Sequence, residues 1–114
     1  MDLEKYKQKI REFADERNWD KYHNPKNLSM ALSGEVGELL EIFQWLNSEE
    51  SKNLTDKDQQ SAKEELADIM IYLIRLSDKL GIDLEEAVKE KLKLNAEKYP
   101  VELSKDNAIK YNKR

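Results

Sequence analysis

The 114-residue sequence contains no cysteine, which excludes a disulfide framework, a thiolate zinc site and a cysteine nucleophile. The lack of cysteine is also compatible with a reducing compartment, and we expect a cytoplasmic protein. Glycine and proline are scarce as well, with three and two residues, whereas 39 % of the chain is charged. Few chain-breaking residues and many charges together favour an all-helical protein.

Long apolar runs and an excess of positive charge are missing too. The longest apolar run, Ile69–Ile74, is much shorter than the ~20 residues that cross a bilayer, and residues 1–5 lack the apolar core of a secretory signal. We therefore expect neither a membrane span nor export. Lys and Arg number 20 against 24 Asp and Glu, a net charge of −4, so duplex nucleic acid is not an expected partner. A small polyanion is compatible with this charge if a cation bridges it to acidic side chains.

The length is that of a single domain, and the apolar periodicity predicts four helices. They cover about residues 2–17, 24–47, 55–81 and 83–99. Asn24 before Pro25, and likewise Thr55 and Asp83, are typical of helix N-termini. Gly81 is typical of a left-handed C-terminal cap. Residues 18–24 and 48–54 are expected to be connectors.

Short connectors place successive helices antiparallel, so we predict an all-α four-helix bundle over residues 1–100. Residues 101–114 form a polar, lysine-rich tail that we expect to be ordered only on docking. The run Ile69–Ile74 is apolar on nearly every side of its helix, and such a helix must be buried on every side. This pattern predicts a homo-oligomer, either a dimer or a tetramer built as a dimer of dimers, with the second and third helices at the interface.

Two pairs of acids define a candidate site. Glu35 and Glu38 share a face of the second helix, and Glu65 and Asp68 share a face of the third. Both pairs adjoin apolar residues, where an unpaired charge loses its hydration. Protonation or a bound cation would relieve the repulsion among these carboxylates. Mg²⁺ prefers one or two carboxylates together with water and substrate phosphates, so the pairs predict a magnesium site.

Glycine supports this interpretation, and two alternatives compete with it. Gly34 and Gly37 each cost a helix ~1 kcal/mol relative to alanine, which indicates a close backbone approach or space for a ligand. Acids three residues apart are, however, also common on ordinary solvated helix faces. A di-iron bundle would need two Glu-x-x-His elements, and His23, the sole histidine, does not lie in one. We therefore exclude the di-iron alternative.

The sequence resembles the MazG-like superfamily of all-α nucleoside triphosphate pyrophosphohydrolases, and within it the dCTP pyrophosphatase branch. The resemblance covers about residues 3–111 and includes Gly34, where many other members carry an acid. It rests on the pattern Glu-x-x-Glu, a gap, then Glu-x-x-Asp, and on the segments around it: His23-Asn24-Pro25, Ala31–Leu39, Phe43-Gln44-Trp45, Glu64–Asp68 with Tyr72-Leu73, and Lys98-Tyr99-Pro100.

The resemblance implies an activity and a cofactor. A (deoxy)nucleoside triphosphate, with dCTP or a modified dCTP as the first candidate, would be hydrolysed to the monophosphate and pyrophosphate, which cleanses the nucleotide pool. Mg²⁺, or Mn²⁺ as a substitute, would be the metal. The metal-binding positions correspond to Glu35, Glu38, Glu65 and Asp68, and either Glu35 or Glu38 would accept the proton of the attacking water.

The resemblance also implies a set of nucleotide contacts. Trp19 and His23 correspond to base and sugar contacts, and Trp45 and Tyr72 to aromatic walls. Phosphate-side and tail contacts correspond to Lys91, Asn95, Tyr99, Lys105 and Lys110-Tyr111. Without the resemblance, the same residues are explained by core or interface packing for the aromatic groups and by a solvated surface for the polar ones. The competing functional hypothesis is a non-catalytic helical oligomer, an interaction or regulatory module with a structural cation site.

Overall fold

The computed structural model describes residues 1–110 and 112, and every regular element in this part of the chain is helical. Six α-helices and one 3₁₀ turn, Asp20–Tyr22, follow one another: α1 (Leu3–Glu16), α2 (Pro25–Phe43), α3 (Ser48–Lys52), α4 (Asp56–Lys79), α5 (Leu84–Lys98) and α6 (Val101–Ser104). The predicted all-α fold is confirmed, and the four predicted helices correspond to α1, α2, α4 and α5. Across these described residues, no helix has both the length and the apolarity needed to traverse a lipid bilayer.

The predicted helix ends are formed by local hydrogen bonds. The Asn24 side chain accepts from the N–H of Asn27 at 2.8 Å, and Thr55 caps α4 in the same way at 3.2 Å. Asp83 caps α5, accepting at 3.0 Å. Gly81 follows α4 with φ +66°, the left-handed conformation predicted for it.

The structure differs from the expected segments in four places. The second helix ends at Phe43 rather than near Asn47, and the expected connector 48–54 contains α3. The reason is a capping box, in which Asn47 and Glu50 exchange side-chain and backbone hydrogen bonds of 3.0 and 2.9 Å. The first connector likewise contains the 3₁₀ turn, and the tail contains α6.

The chain divides into two compact units, Met1–Ile82 and the residues from Asp83 onward. In the first unit α2 packs along α4, and α1 packs against α4 as well. Its buried apolar side chains are Ala14, Leu28, Ala62 and Ile74. The second unit contains α5 and α6. The boundary expected between residues 100 and 101 stays a prediction.

Several large apolar side chains around α2 and α4 are not covered by their own chain. The exposed fraction is 47 % for Val36, 62 % for Leu40, 56 % for Leu66 and 45 % for Ile71. The run Ile69–Ile74 is therefore not buried on every side within one copy. These exposed side chains lie on the second and third predicted helices, where the sequence predicts the interface with a second copy.

Candidate metal centre

Three carboxylates from two helices meet at one point of the first unit. Glu35 and Glu38 lie one turn apart on α2, and Glu65 lies on α4. One carboxylate oxygen from each of the three lies within 4.8 Å of the other two. Glu35 and Glu65 are half-buried and Glu38 is exposed. The packing of α2 along α4 thus joins the two sequence motifs into one acidic cluster.

The negative groups of the cluster lack partners. Oε2 of Glu35 and Oε2 of Glu65 are buried and have no hydrogen-bond partner, although buried polar atoms are normally satisfied. The pKa of Glu65 is raised to about 7, first because its protonated form can donate a hydrogen bond to the Glu35 carboxylate, then because the group is withdrawn from water, and also because Glu38 adds a second negative group. Near neutral pH the Glu65 carboxyl group is therefore partly protonated, and a bound cation would displace that proton.

The donor set of the cluster suits a hard divalent cation. All three side chains offer oxygen, the ligand type that Mg²⁺ and Mn²⁺ prefer. The two unsatisfied oxygens supply lone pairs that no protein group uses. Carboxylates on a rigid helix pair also leave coordination positions open to water or phosphate oxygens. The residues present therefore fit a divalent cation.

The fourth predicted acid stands apart from this cluster. Asp68 follows Glu65 by one turn on α4, is exposed, and is not one of the three acids that meet. The apolar burial expected around the acids is only partial, since Val36 and Leu66 are themselves about half exposed. A Cβ at Gly34 or Gly37 would meet no atom within 4 Å in the described structure. The glycines therefore leave open space beside α2 rather than a close backbone approach.

Two of the predicted nucleotide contacts lie together at the first connector. The ring of Trp19 packs edge-on against His23, with centroids 6.3 Å apart, and against Phe13 at 5.7 Å. Tyr72 is half-buried on α4, one turn beyond Asp68. Trp45, predicted to be an aromatic wall, is 86 % exposed just after α2. The predicted aromatic contacts thus lie on three different segments: the first connector, α4 and the end of α2.

A buried polar network near Trp19 was missed by the sequence analysis. Arg75 is 4 % exposed and donates from Nη2 to Asp20 Oδ1 at 2.9 Å and from Nε to Nδ1 of His23 at 3.1 Å. Lys79 also pairs with Asp20. The signal was an arginine within the apolar stretch of α4, because a buried guanidinium requires partners.

The same network ties α4 to α1. Asp78 accepts a bidentate pair of hydrogen bonds from Arg11, one of them 2.6 Å from Nε. Nη1 of Arg75 lies 3.7 Å from Asp78. The Arg11 guanidinium holds the pKa of Asp78 below its usual range, despite the opposing effect of burial. A cavity of about 270 Å³ lies among these groups.

The remaining predicted contacts belong to the second unit. Lys91 and Asn95 lie one turn apart on α5, and Tyr99 caps the helix by donating its N–H to the Asn95 carbonyl at 2.9 Å. Lys105 follows α6 directly and Lys110 lies near the end of the described chain. Tyr111 lies outside the described residues.

The all-α fold joins Glu-x-x-Glu on α2 with the glutamate of a Glu-x-x-Asp motif on α4, which defines a helical protein with an acidic centre suited to a divalent cation. Residues 30–113 match the MazG-like family, and the chain belongs to that family.

Individual relatives fit the same assignment. The sequence is 45 % identical over 102 residues to dCTP pyrophosphatase 1 of Mus musculus and 41 % identical to that of Homo sapiens, in each case over 88 % of this chain. The chain spans 60 % of the length of these relatives. The fold is also similar to the crystal structure of a pyrophosphatase from Archaeoglobus fulgidus, with a TM-score of 0.82 and 46 % identity over 88 % of this chain and 94 % of that one.

Proposed function

We propose that this protein hydrolyses a nucleoside triphosphate to the monophosphate and pyrophosphate, with dCTP or a modified dCTP as the first candidate substrate. The activity would remove selected nucleotides from the cytoplasmic pool. The names of the relatives support the reaction and the substrate class. The observation that carries the proposal is the cluster of three carboxylates with two buried, unsatisfied oxygens.

In this proposal Glu35, Glu38 and Glu65 hold a divalent cation, Mg²⁺ first and Mn²⁺ as its substitute. When bound, the cation supplies positive charge against the phosphates and polarises the bond to be broken. Asp68, one turn further along α4, would be the fourth ligand. Either Glu35 or Glu38 accepts the proton of the attacking water, a role for which a carboxylate close to the reacting phosphate is suited.

The nucleoside end of the substrate is assigned to aromatic groups and to His23. Trp19 and His23 would contact base and sugar. Tyr72 lies along α4 between Asp68 and Arg75, the residue that donates to His23. Trp45 would form an aromatic wall of the nucleoside site, and its 86 % exposure favours completion of that wall by a second copy. The family resemblance assigns Lys91, Asn95 and Tyr99 to phosphate-side contacts. The exposed apolar residues Leu40, Leu66 and Ile71 supply an interface for a homodimer or homotetramer.

The test is pyrophosphate release from the eight common ribo- and deoxyribonucleoside triphosphates, with and without Mg²⁺. We expect release only with the metal and fastest with dCTP. Glu38→Gln and Asp68→Asn should each abolish release without loss of helix content, whereas Glu41→Gln, an exposed acid on the same helix, should retain it. Full activity in both site variants would refute the metal assignment.

The alternative of a non-catalytic oligomer with a structural cation makes a different prediction. A structural cation stabilises the fold by itself, whereas an enzyme is stabilised further when metal and nucleotide bind together. The Tm measured with Mg²⁺ alone, and then with Mg²⁺ and an α,β-imido dCTP analogue, separates the two. A Tm that rises with Mg²⁺ and does not respond to the analogue would favour the structural role.

A further inference from the structure

We propose that Arg75 is a positioning residue that holds His23 as a neutral imidazole with its hydrogen on Nε2, so that the ring presents a hydrogen-bond donor to the nucleoside. This inference rests on the proposed function and extends it to the way the nucleoside is recognised. It assigns His23 to an uncharged acceptor, a carbonyl, ring nitrogen or hydroxyl oxygen, rather than to the phosphates.

The tautomer follows from the direction of one hydrogen bond. The guanidinium of arginine can only donate, and its Nε lies 3.1 Å from Nδ1 of His23. Nδ1 must therefore accept with its lone pair, and the hydrogen of the neutral ring is on Nε2. A charged ring would place a second N–H against the guanidinium.

Arg75 is held in position by more than the histidine. Its Nη2 donates to Asp20 at 2.9 Å, and Asp20 is in turn paired with Lys79. Asp78, which accepts from Arg11, lies 3.7 Å from Nη1. Since Arg75 is 4 % exposed, these contacts fix the guanidinium in one orientation. Asp20 is paired with both Arg75 and Lys79, and Asp78 is paired with Arg11. The charged groups around His23 are therefore held in place as well.

The surroundings favour the neutral ring. Burial lowers the pKa of His23, and Arg75 and Lys79 on α4 lower it further against the opposing effect of Asp20 in the 3₁₀ turn. A ring that stays neutral at pH 7 makes no ion pair with a phosphate. It instead suits an uncharged acceptor on a base or a sugar.

The location along α4 agrees with this role. Glu65, Asp68, Tyr72 and Arg75 follow at spacings of three, four and three residues, so they form one stripe of the helix. Ten residues at 1.5 Å each place Arg75 about 15 Å along the axis from Glu65. With the phosphates at the acids, an extended nucleotide lying along this stripe brings its nucleoside to the level of Arg75, His23 and Trp19.

The test uses His23 as the sole histidine of the chain, because its ¹⁵N resonances are then unambiguous. At pH 7 we expect the neutral tautomer with the hydrogen on Nε2, and a shift of the Nε2–H signal when Mg²⁺ and α,β-imido dCTP are added. A hydrogen on Nδ1, a charged ring at pH 7, or a signal that the analogue does not move would overturn the proposal without any variant.

The matching variant is Arg75→Met, which keeps the stem and removes every donor, while Asp20 and Asp78 retain Lys79 and Arg11. We expect mixed tautomers, ring protonation at higher pH, and a KM about three- to tenfold higher with kcat and the Mg²⁺ requirement nearly unchanged. The control Lys79→Gln removes a charge near the ring but no hydrogen bond to it, so the tautomer should be retained.

Two outcomes separate this inference from the proposed function. A folded Arg75→Met protein with the wild-type tautomer and KM would refute the role of Arg75 while the enzyme stands. A wild-type protein that releases no pyrophosphate from any triphosphate and does not bind the analogue would refute the proposed function, whatever the tautomer of His23.

Discussion

Binding of Mg²⁺ should expel a proton from the acidic cluster. The pKa of Glu65 is about 7, so its carboxyl group carries about 0.9 of a proton at pH 6, about 0.5 at pH 7 and about 0.1 at pH 8. A cation coordinated by Glu35, Glu38 and Glu65 requires the carboxylate form, and metal binding therefore releases these fractions. The expected release thus falls about tenfold between pH 6 and pH 8.

Calorimetric titration of Mg²⁺ in pairs of buffers with different ionisation enthalpies measures this release directly. Glu65→Gln should release almost none at any pH, whereas Glu64→Gln, the exposed neighbour on α4, should behave as wild type. A wild-type release near zero at pH 6, or one that Glu65→Gln leaves unchanged, would refute the reasoning.

The same raised pKa has a consequence for stability. Between the ordinary value of 4.5 and about 7, the folded metal-free protein binds more protons at Glu65 than the unfolded chain does. Its contribution to the free energy of unfolding therefore declines as the pH rises through this window. In EDTA, the Tm of Glu65→Gln should exceed that of wild type at pH 8, and the gap should close towards pH 5.

Three further perturbations test the fold and its surfaces. Asp78→Asn should lower the free energy of unfolding by about 2 kcal/mol in urea titrations. The loss should be smaller than for a fully buried ion pair, because Arg11 is partly exposed. Asp15→Asn, at an exposed acid, is the control. Gly37→Ala should stabilise an isolated copy by about 1 kcal/mol in the same assay, since its Cβ meets open space, yet it should weaken assembly or substrate binding if that space is occupied. Ile71→Lys should convert the proposed oligomer to smaller species in sedimentation experiments, and an unchanged mass would exclude this residue from the interface.

Much of the fold could be predicted because its signals are local. The caps at Asn24, Thr55 and Asp83 are formed within three residues of chain. The spacing of the acids placed each pair on one helix face, and the packing of α2 along α4 joined three of the four. The helix α3 was missed, although the Asn47–Glu50 box that begins it is equally local, because the polar sequence around it lacks an apolar stripe.

The Arg75 network could not be predicted from periodicity. Its partners Asp20 and His23 lie 55 and 52 residues earlier in the chain, and spacing along a helix carries no information on such contacts. Asp68 illustrates a second limit. The i, i+3 rule places it on the face of Glu65, but where its carboxylate lies depends on side-chain direction and on what faces α4.

The central claim is that two helices tolerate crowded carboxylates because a divalent cation binds among them. Anomalous diffraction from crystals grown with Mn²⁺ and α,β-imido dCTP tests this most directly. We predict an anomalous peak from a Mn²⁺ ion coordinated by Glu35, Glu38 and Glu65, with phosphate oxygens of the analogue beside the ion. Nucleotide-bound crystals with no peak there, and with the three carboxylates turned towards solvent, would contradict the account.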